Sequence, residues 1–221
     1  MLVRPARRIT SGPGGDYQPT WSHDGRRLVF FSGRGGNTDI WSVAADGSGL
    51  TRLTHDPALD TNPFYSPDGQ WIAFVSDRSG SSEVWIMRQD GTEQRQLASV
   101  GVWGHFLRWT SDSRAVTFRS ASPSPIHIFR VHLKDGSLEP LPEISSGGHM
   151  SFSPDGRIAM DVRGHKTLWA YPLDGKPAYK VFEFADLKIR IDYPMWSPDG
   201  RWVIFDRVSP RGGDLWMLEG N

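Results

Sequence analysis

The 221-residue chain has no cysteine, so disulfide staples, thiolate nucleophiles and thiolate metal ligands are all excluded. It has no surplus of charge either, because 25 acidic residues balance 25 basic ones. Without a one-signed field, neither nucleic acid nor an anionic membrane surface is an expected partner. No run of about 18 apolar residues occurs, which leaves no candidate for a membrane-inserted helix. The segment from Met1 to Thr10 carries Arg4, Arg7 and Arg8 but lacks the apolar stretch that forms the centre of a secretion signal. The expected compartment is therefore the periplasm if a signal was removed ahead of Met1, and the cytoplasm otherwise. No serine sits in a Gly-x-Ser-x-Gly elbow, so a nucleophilic triad is not indicated. Gly33-Arg34-Gly35-Gly36 lies between two β-rich runs, with no helix after it to turn a dipole toward phosphate.

What the chain has in quantity is glycine (24), proline (16) and tryptophan (10), a composition suited to many short strands joined by tight turns. These residues are ordered in a repeat. An aromatic followed by Ser-Pro-Asp-Gly, or a near variant, recurs five times, and its aspartates Asp24, Asp68, Asp112, Asp155 and Asp199 stand 44, 44, 43 and 44 residues apart. A period of this length is the signature of propeller blades. In the second copy, Asp60-Thr61-Asn62-Pro63-Phe64-Tyr65 predicts an innermost strand and Ser66-Pro67-Asp68-Gly69 a turn. Proline presets φ in that turn, aspartate bonds the neighbouring backbone and glycine accepts positive φ. Trp71–Ser76 and Glu83–Met87 predict the next two strands, Asp90-Gly91 a hairpin, and Gln94–Leu97 a polar outer strand.

The fold class expected is all-β: a five-bladed β-propeller of four-stranded antiparallel blades, forming one domain over residues 1–221. Arg8-Ile9-Thr10 copies the outer-strand signal Arg52-Leu53-Thr54, whereas the last repeat stops after its third strand at Leu215-Trp216-Met217-Leu218. The N-terminal strand, about residues 2–11, is therefore expected to complete the C-terminal blade, about 190–219, and close the ring. A piece cut at random from a longer propeller would not be expected to begin with the strand its other end lacks.

The phrases aromatic-Ser-Pro-Asp-Gly, Ser76-Asp77-Arg78, Asp39-Ile40-Trp41, Asp-Gly and Arg-Leu-Thr closely resemble the WD-like repeat of TolB-type bacterial propellers, across nearly the whole chain. That resemblance implies the blade and leaves the function open. Repeats of this type occur in the periplasmic TolB component of the Tol–Pal envelope system, in the propeller halves of some serine peptidases, in oligogalacturonate lyase-like proteins and in sensor domains of regulators. Five copies stand here, against the six blades and additional α/β domain of TolB.

In such blades the starts of the first strands and the ends of the second strands share one face around the channel mouth, where loops from several blades converge. That face is expected to carry Asp16, Tyr17, Asp60, Asn62, Trp103, His105, Phe106, His149, Asp192 and Tyr193 from entry segments, with Arg34, Arg78, Arg163 and Arg211 from the loops after second strands. The third and fourth repeats depart most from the pattern, and departures are where function overrides consistency. A protein or peptide partner is the expected ligand of a monomeric, non-enzymatic module. Trp103, Phe106 and Tyr193 would be its apolar anchors, and Arg34, Arg78, Arg163 and Arg211 the readers of carboxylates. The alternatives are a carbohydrate-active hydrolase or lyase acting on an oligosaccharide through Asp16, Asp60 and Asp192, or the ligand-sensing part of a larger regulator. No cofactor is expected, a divalent cation on channel aspartates being the exception the pattern would accommodate; His105, His149 and His165 lack metal-ligand spacing.

Overall fold

The protein is described here by a computed structural model, which covers residues 8–120, 128–141, 150–186, 188–196, 200–209 and 212–219, without the side chains of 103–106, 192–193 and 206–219. Among these residues there is no helix, and the strands form five antiparallel sheets in chain order. The first holds β1 (Asp16–Trp21), β2 (Arg27–Ser32), β3 (Asp39–Ala44) and β4 (Thr51–Arg52). The second holds β5 (Asp60–Tyr65), β6 (Trp71–Ser76), β7 (Glu83–Arg88) and β8 (Arg95–Gln96). The third comprises β9 (Val102–Trp109), β10 (Ala115–Ser120), β11 (Ile128–His132) and β12 (Leu138–Pro140). The fourth comprises β13 (Met150–Phe152), β14 (Ile158–Arg163), β15 (Thr167–Pro172) and β16 (Tyr179–Glu183). The fifth has three strands, β17 (Arg190–Trp196), β18 (Trp202–Ser209) and β19 (Gly212–Glu219). Residues 8–11 form no strand.

The turns form for the reasons the repeat suggests. Ser66 Oγ donates to Asp68 Oδ1 (2.5 Å) and accepts the Trp71 amide (3.0 Å), while the same Asp68 oxygen accepts the Gln70 amide (3.0 Å). Gly69 takes φ +73°. In the third copy Ser113 stands in the glycine position at φ +59°, and its hydroxyl accepts the Asp68 amide at 2.9 Å, tying one turn to its neighbour. First strands carry a register slip between Tyr17 and Thr20, between Thr61 and Phe64 and between Asp192 and Met195. In the first two of these, Gln18 and Asn62 adopt φ +48° and +53° just before a proline.

The core lies between sheets. Phe31 and Phe74 belong to the apolar cluster between the first and second sheets, Val75 and Phe118 to that between the second and third, and Val162 and Phe205 to that between the fourth and fifth. Backbone bonds reinforce the sequence of sheets, the amides of Asp60, Val102 and Ile191 reaching the carbonyls of Thr38 (2.9 Å), Ser82 (2.7 Å) and His165 (2.9 Å) in the sheet before. Three hairpin glycines pack closely under the preceding segment, whereas Gly175 of the fourth repeat has open space around it. A Cβ on Gly91 would lie 2.8 Å from the Leu53 carbonyl oxygen, and one on Gly136 3.2 Å from that of Leu97. Gly47 meets the carbonyl of Ile9 in the same way, at 2.9 Å.

Candidate functional site

The face where first strands begin and second strands end is organised by one device, built twice in the same way. In the second sheet, Arg78 folds back so that its Nε donates to Ser76 Oγ (2.9 Å), its Nη1 to Gln94 Oε1 (2.8 Å) and its Nη2 to Asp60 Oδ2 (2.8 Å). Its guanidinium sits 4.7 Å from the Trp85 ring centre and 5.5 Å from that of Phe74. Asp60, fully buried, opens β5 opposite Ser76. In the first sheet Arg34 repeats the arrangement with Ser32 Oγ (3.2 Å), with both Asp16 oxygens (2.6 Å to Oδ1) and with the Trp41 and Phe30 rings (5.5 Å each). Stacking and forked hydrogen bonding together explain why arginine rather than lysine is used. Burial acts to raise the Asp16 pKa, but hydrogen bonds from Thr10 and Arg34 outweigh it and hold the carboxyl below its usual range.

Asp16, Arg34, Asp60 and Arg78 are therefore brought together pairwise, and the two arginines expected to read ligand carboxylates hold carboxylates of the chain itself. Arg163, on the fourth sheet, keeps the aromatic stack: it lies 4.0 Å from the Trp169 ring and 5.2 Å from that of Tyr171, whose hydroxyl accepts its Nε at 2.7 Å. Tyr17 is exposed and stacks on Phe31 at 5.3 Å, whereas Asn62 is buried at the strand bulge. Trp103, His105 and Phe106 lie on β9, and Asp192 and Tyr193 on β17, with side chains outside the description. Asp192 pairs with Asp206, and Ile191 with Arg207, so by turn register Ile191 occupies the ladder position that Asp60 holds opposite Ser76. His149 and Arg211 lie outside the described residues.

Two further charged features stand apart from the expected pairs, one of them formed by Arg119, which its place at the end of a second strand sets with Arg34 and Arg78 at the mouth but which is buried. Asp39, fully buried at the head of β3, accepts Arg52 Nη2 at 2.6 Å, and burial, with Asp60 adding to it, raises its pKa. Between the third and fourth sheets, buried Arg119 and fully buried Asp161 interact electrostatically. Counting from the turn aspartates would have found this pair. Asp161 holds the place of Phe30, Phe74, Phe118 and Phe205, and Arg119 that of Val75. Among the described residues no group of three His, Cys, Asp or Glu side chains is placed to hold a metal ion, and no helix is long and apolar enough to cross a membrane.

With repeat, sheet order and turn chemistry in view, the sequence matches the TolB beta propeller domain over residues 5–190. The chain belongs to that family. No curated protein matches it by sequence. Among solved structures it is similar to TolB from Acinetobacter baumannii, at 19% identity and a TM-score of 0.75 over 96% of this chain and 53% of that one. It is similar too to a putative TolB from Agrobacterium tumefaciens, at 19% identity and 0.73 over 97% and 82%. An oligogalacturonate lyase in complex with manganese superposes at 18% identity and 0.74 over 92% and 62%. At such identities the likeness is one of fold. The family member described here spans about half the length of the Acinetobacter protein.

Proposed function

We propose that this chain is a non-enzymatic binding module that recognises a protein or peptide partner through the channel-mouth face. The observation that carries the reading is the internal pairing of Asp16 with Arg34 and of Asp60 with Arg78. Carboxylates held in this way form a rigid, stacked rim rather than a pair poised for acid and base work across a substrate. The likeness to TolB structures supports the same reading. Affinity capture with the full chain tests it, and Trp103→Ala is expected to weaken capture of a retained partner by tenfold or more. Unchanged capture would count against this face.

The architecture proposed is a ring of five blades completed by residues 2–11 beside β19. Ile9 supports it by meeting Gly47 as Leu53 meets Gly91. So do the end faces: Trp21 is 57% exposed where its repeat equivalent Tyr65 is 9%, and Met195 and Ile204 are 56% and 39% exposed, although Phe64 and Ala73 at their positions pack into the core. Docking the fifth sheet on the first would bury all three. Deleting residues 1–11 is expected to lower the unfolding temperature by several degrees and increase binding of an apolar dye. An unaltered melting curve would sink the closure.

The fold's likeness to an oligogalacturonate lyase favours one second reading, a carbohydrate-active enzyme using Asp16, Asp60 and Asp192. Incubation with polygalacturonate, with and without manganese, decides it through the ultraviolet absorbance of unsaturated product. Turnover lost in Asp60→Asn would displace the binding-module reading.

A further inference from the structure

The arginine devices of the first, second and fourth repeats differ in one component. In each, the guanidinium lies against the third-strand tryptophan, Trp41, Trp85 or Trp169. In each, a hydroxyl accepts Nε: Ser32, Ser76 or Tyr171. In the first and second, Nη2 then reaches the carboxylate that opens the first strand. That aspartate stands eight residues ahead of the turn aspartate, at Asp16 and Asp60, and the fourth repeat has Gly147 there. The hairpin of the fourth repeat is also shorter. Trp169 follows its turn aspartate by 14 residues where Trp85 follows by 17, and Arg163 stands in the register position of Ser76. Half-buried Arg163 thus has its stack and its Nε acceptor but no carboxylate on its Nη atoms among the described residues.

We propose that Arg163 is the carboxylate-reading residue of the mouth and that its ligand is an aspartate or glutamate side chain of an acidic peptide. The inference rests on the reading of the chain as a peptide-binding module. Physically, the guanidinium is already oriented, so a ligand that pairs with it meets little of the rotamer cost that usually discounts an exposed ion pair. The sister sites identify the occupant's chemistry. What fills that position twice in this chain is an aspartate side chain on a polypeptide segment entering a strand, and a peptide from outside supplies the same group in the same geometry. Arg34 and Arg78 are unsuited to the task because each already holds its own aspartate.

Calorimetric titration of the full chain with hexaglutamate, hexaglutamine and hexagalacturonate tests this. Hexaglutamate is expected to bind with an affinity that falls as salt rises, and hexaglutamine not to bind. Arg163→Gln should weaken hexaglutamate at least tenfold, and Arg163→Lys, which keeps the charge but loses the fork, should fall between. Arg26→Gln, at a turn where the side chain is 86% exposed, should change nothing. Equal hexaglutamate affinity in Arg163→Gln and the parent overturns the assignment to Arg163 while leaving the peptide reading in place. Binding of hexagalacturonate alone overturns the acidic-peptide ligand, and absence of heat with every probe does the same. Arg163→Lys carries the test if Arg163→Gln does not fold.

Discussion

Replacing Arg119 and Asp161 with the residues that the second repeat carries in the same places, Arg119→Val and Asp161→Phe, asks what the third and fourth sheets lose or gain by carrying two charges beside the apolar contact that Ile128 and Leu141 make with Ala159 and Tyr171. At three other junctions the inner contact is apolar: Phe31 with Phe74, Val75 with Phe118, Val162 with Phe205. Here it includes a buried arginine and a fully buried aspartate. The attraction is electrostatic rather than a hydrogen-bonded contact pair, so removing one partner should cost less than the roughly 3–5 kcal/mol that follows the breaking of a buried contact pair. For a chain of this size that sets a fall of no more than roughly 20 °C in unfolding temperature. Removing both restores the apolar pattern of the sister junctions, and replacement of such pairs by packed apolar groups runs from neutral to about 4 kcal/mol stabilising. The double variant should therefore be at least as stable as the parent although each single variant is weaker. Urea titrations followed by tryptophan fluorescence and circular dichroism supply the four free energies, coincident curves licensing the two-state treatment. Single effects that add to within about 0.5 kcal/mol, the behaviour of independent sites, would refute the reasoning.

Gly91→Ala places a Cβ 2.8 Å from the Leu53 carbonyl oxygen at φ +89°, and a loss of about 1–3 kcal/mol is expected in the same titration; Gly80→Ala, with φ +99° but open space around it, should bear the conformational cost alone. Asp16→Asn removes a carboxyl whose folded pKa is depressed, and such a group stabilises above its unfolded pKa and loses that contribution as pH falls through its folded value. The parent should accordingly exceed the Asn variant at pH 7 and converge with it near pH 2. A gap that persists at acid pH would show that the pairing with Arg34 is not its source.

The blade was legible in the sequence because its determinants are local. Ser66, Asp68 and Gly69 close a turn through contacts two to five residues away, and the spacing of Asp24 from Asp68 carries the period without any knowledge of packing. The face that would bear Asp16, Asp60, Arg34 and Arg78 was legible for the same reason. What these residues do to one another was not. Arg78 reaches Asp60 across 18 positions and stacks on Trp85 from another strand, so its partner appears only once three strands are laid side by side. The Arg119 and Asp161 pair escaped for a different reason. Each residue reads as ordinary drift within its own repeat, and only their apposition across two sheets gives the substitutions sense.

The fit of Gly91 under Leu53, of Gly136 under Leu97 and of Gly47 under Ile9 has a direction: the hairpin glycine always belongs to the later sheet and the carbonyl to the earlier segment. Such an interface is heterologous, so it generates either a closed figure or an open string, never a symmetric pair. A copy unable to close on itself presents a leading surface at Trp21 and a trailing one at Met195 and Ile204. On the proposed closure, shortening the N-terminus is expected to leave both surfaces bare, and raising the concentration of that variant to grow head-to-tail oligomers rather than a closed dimer.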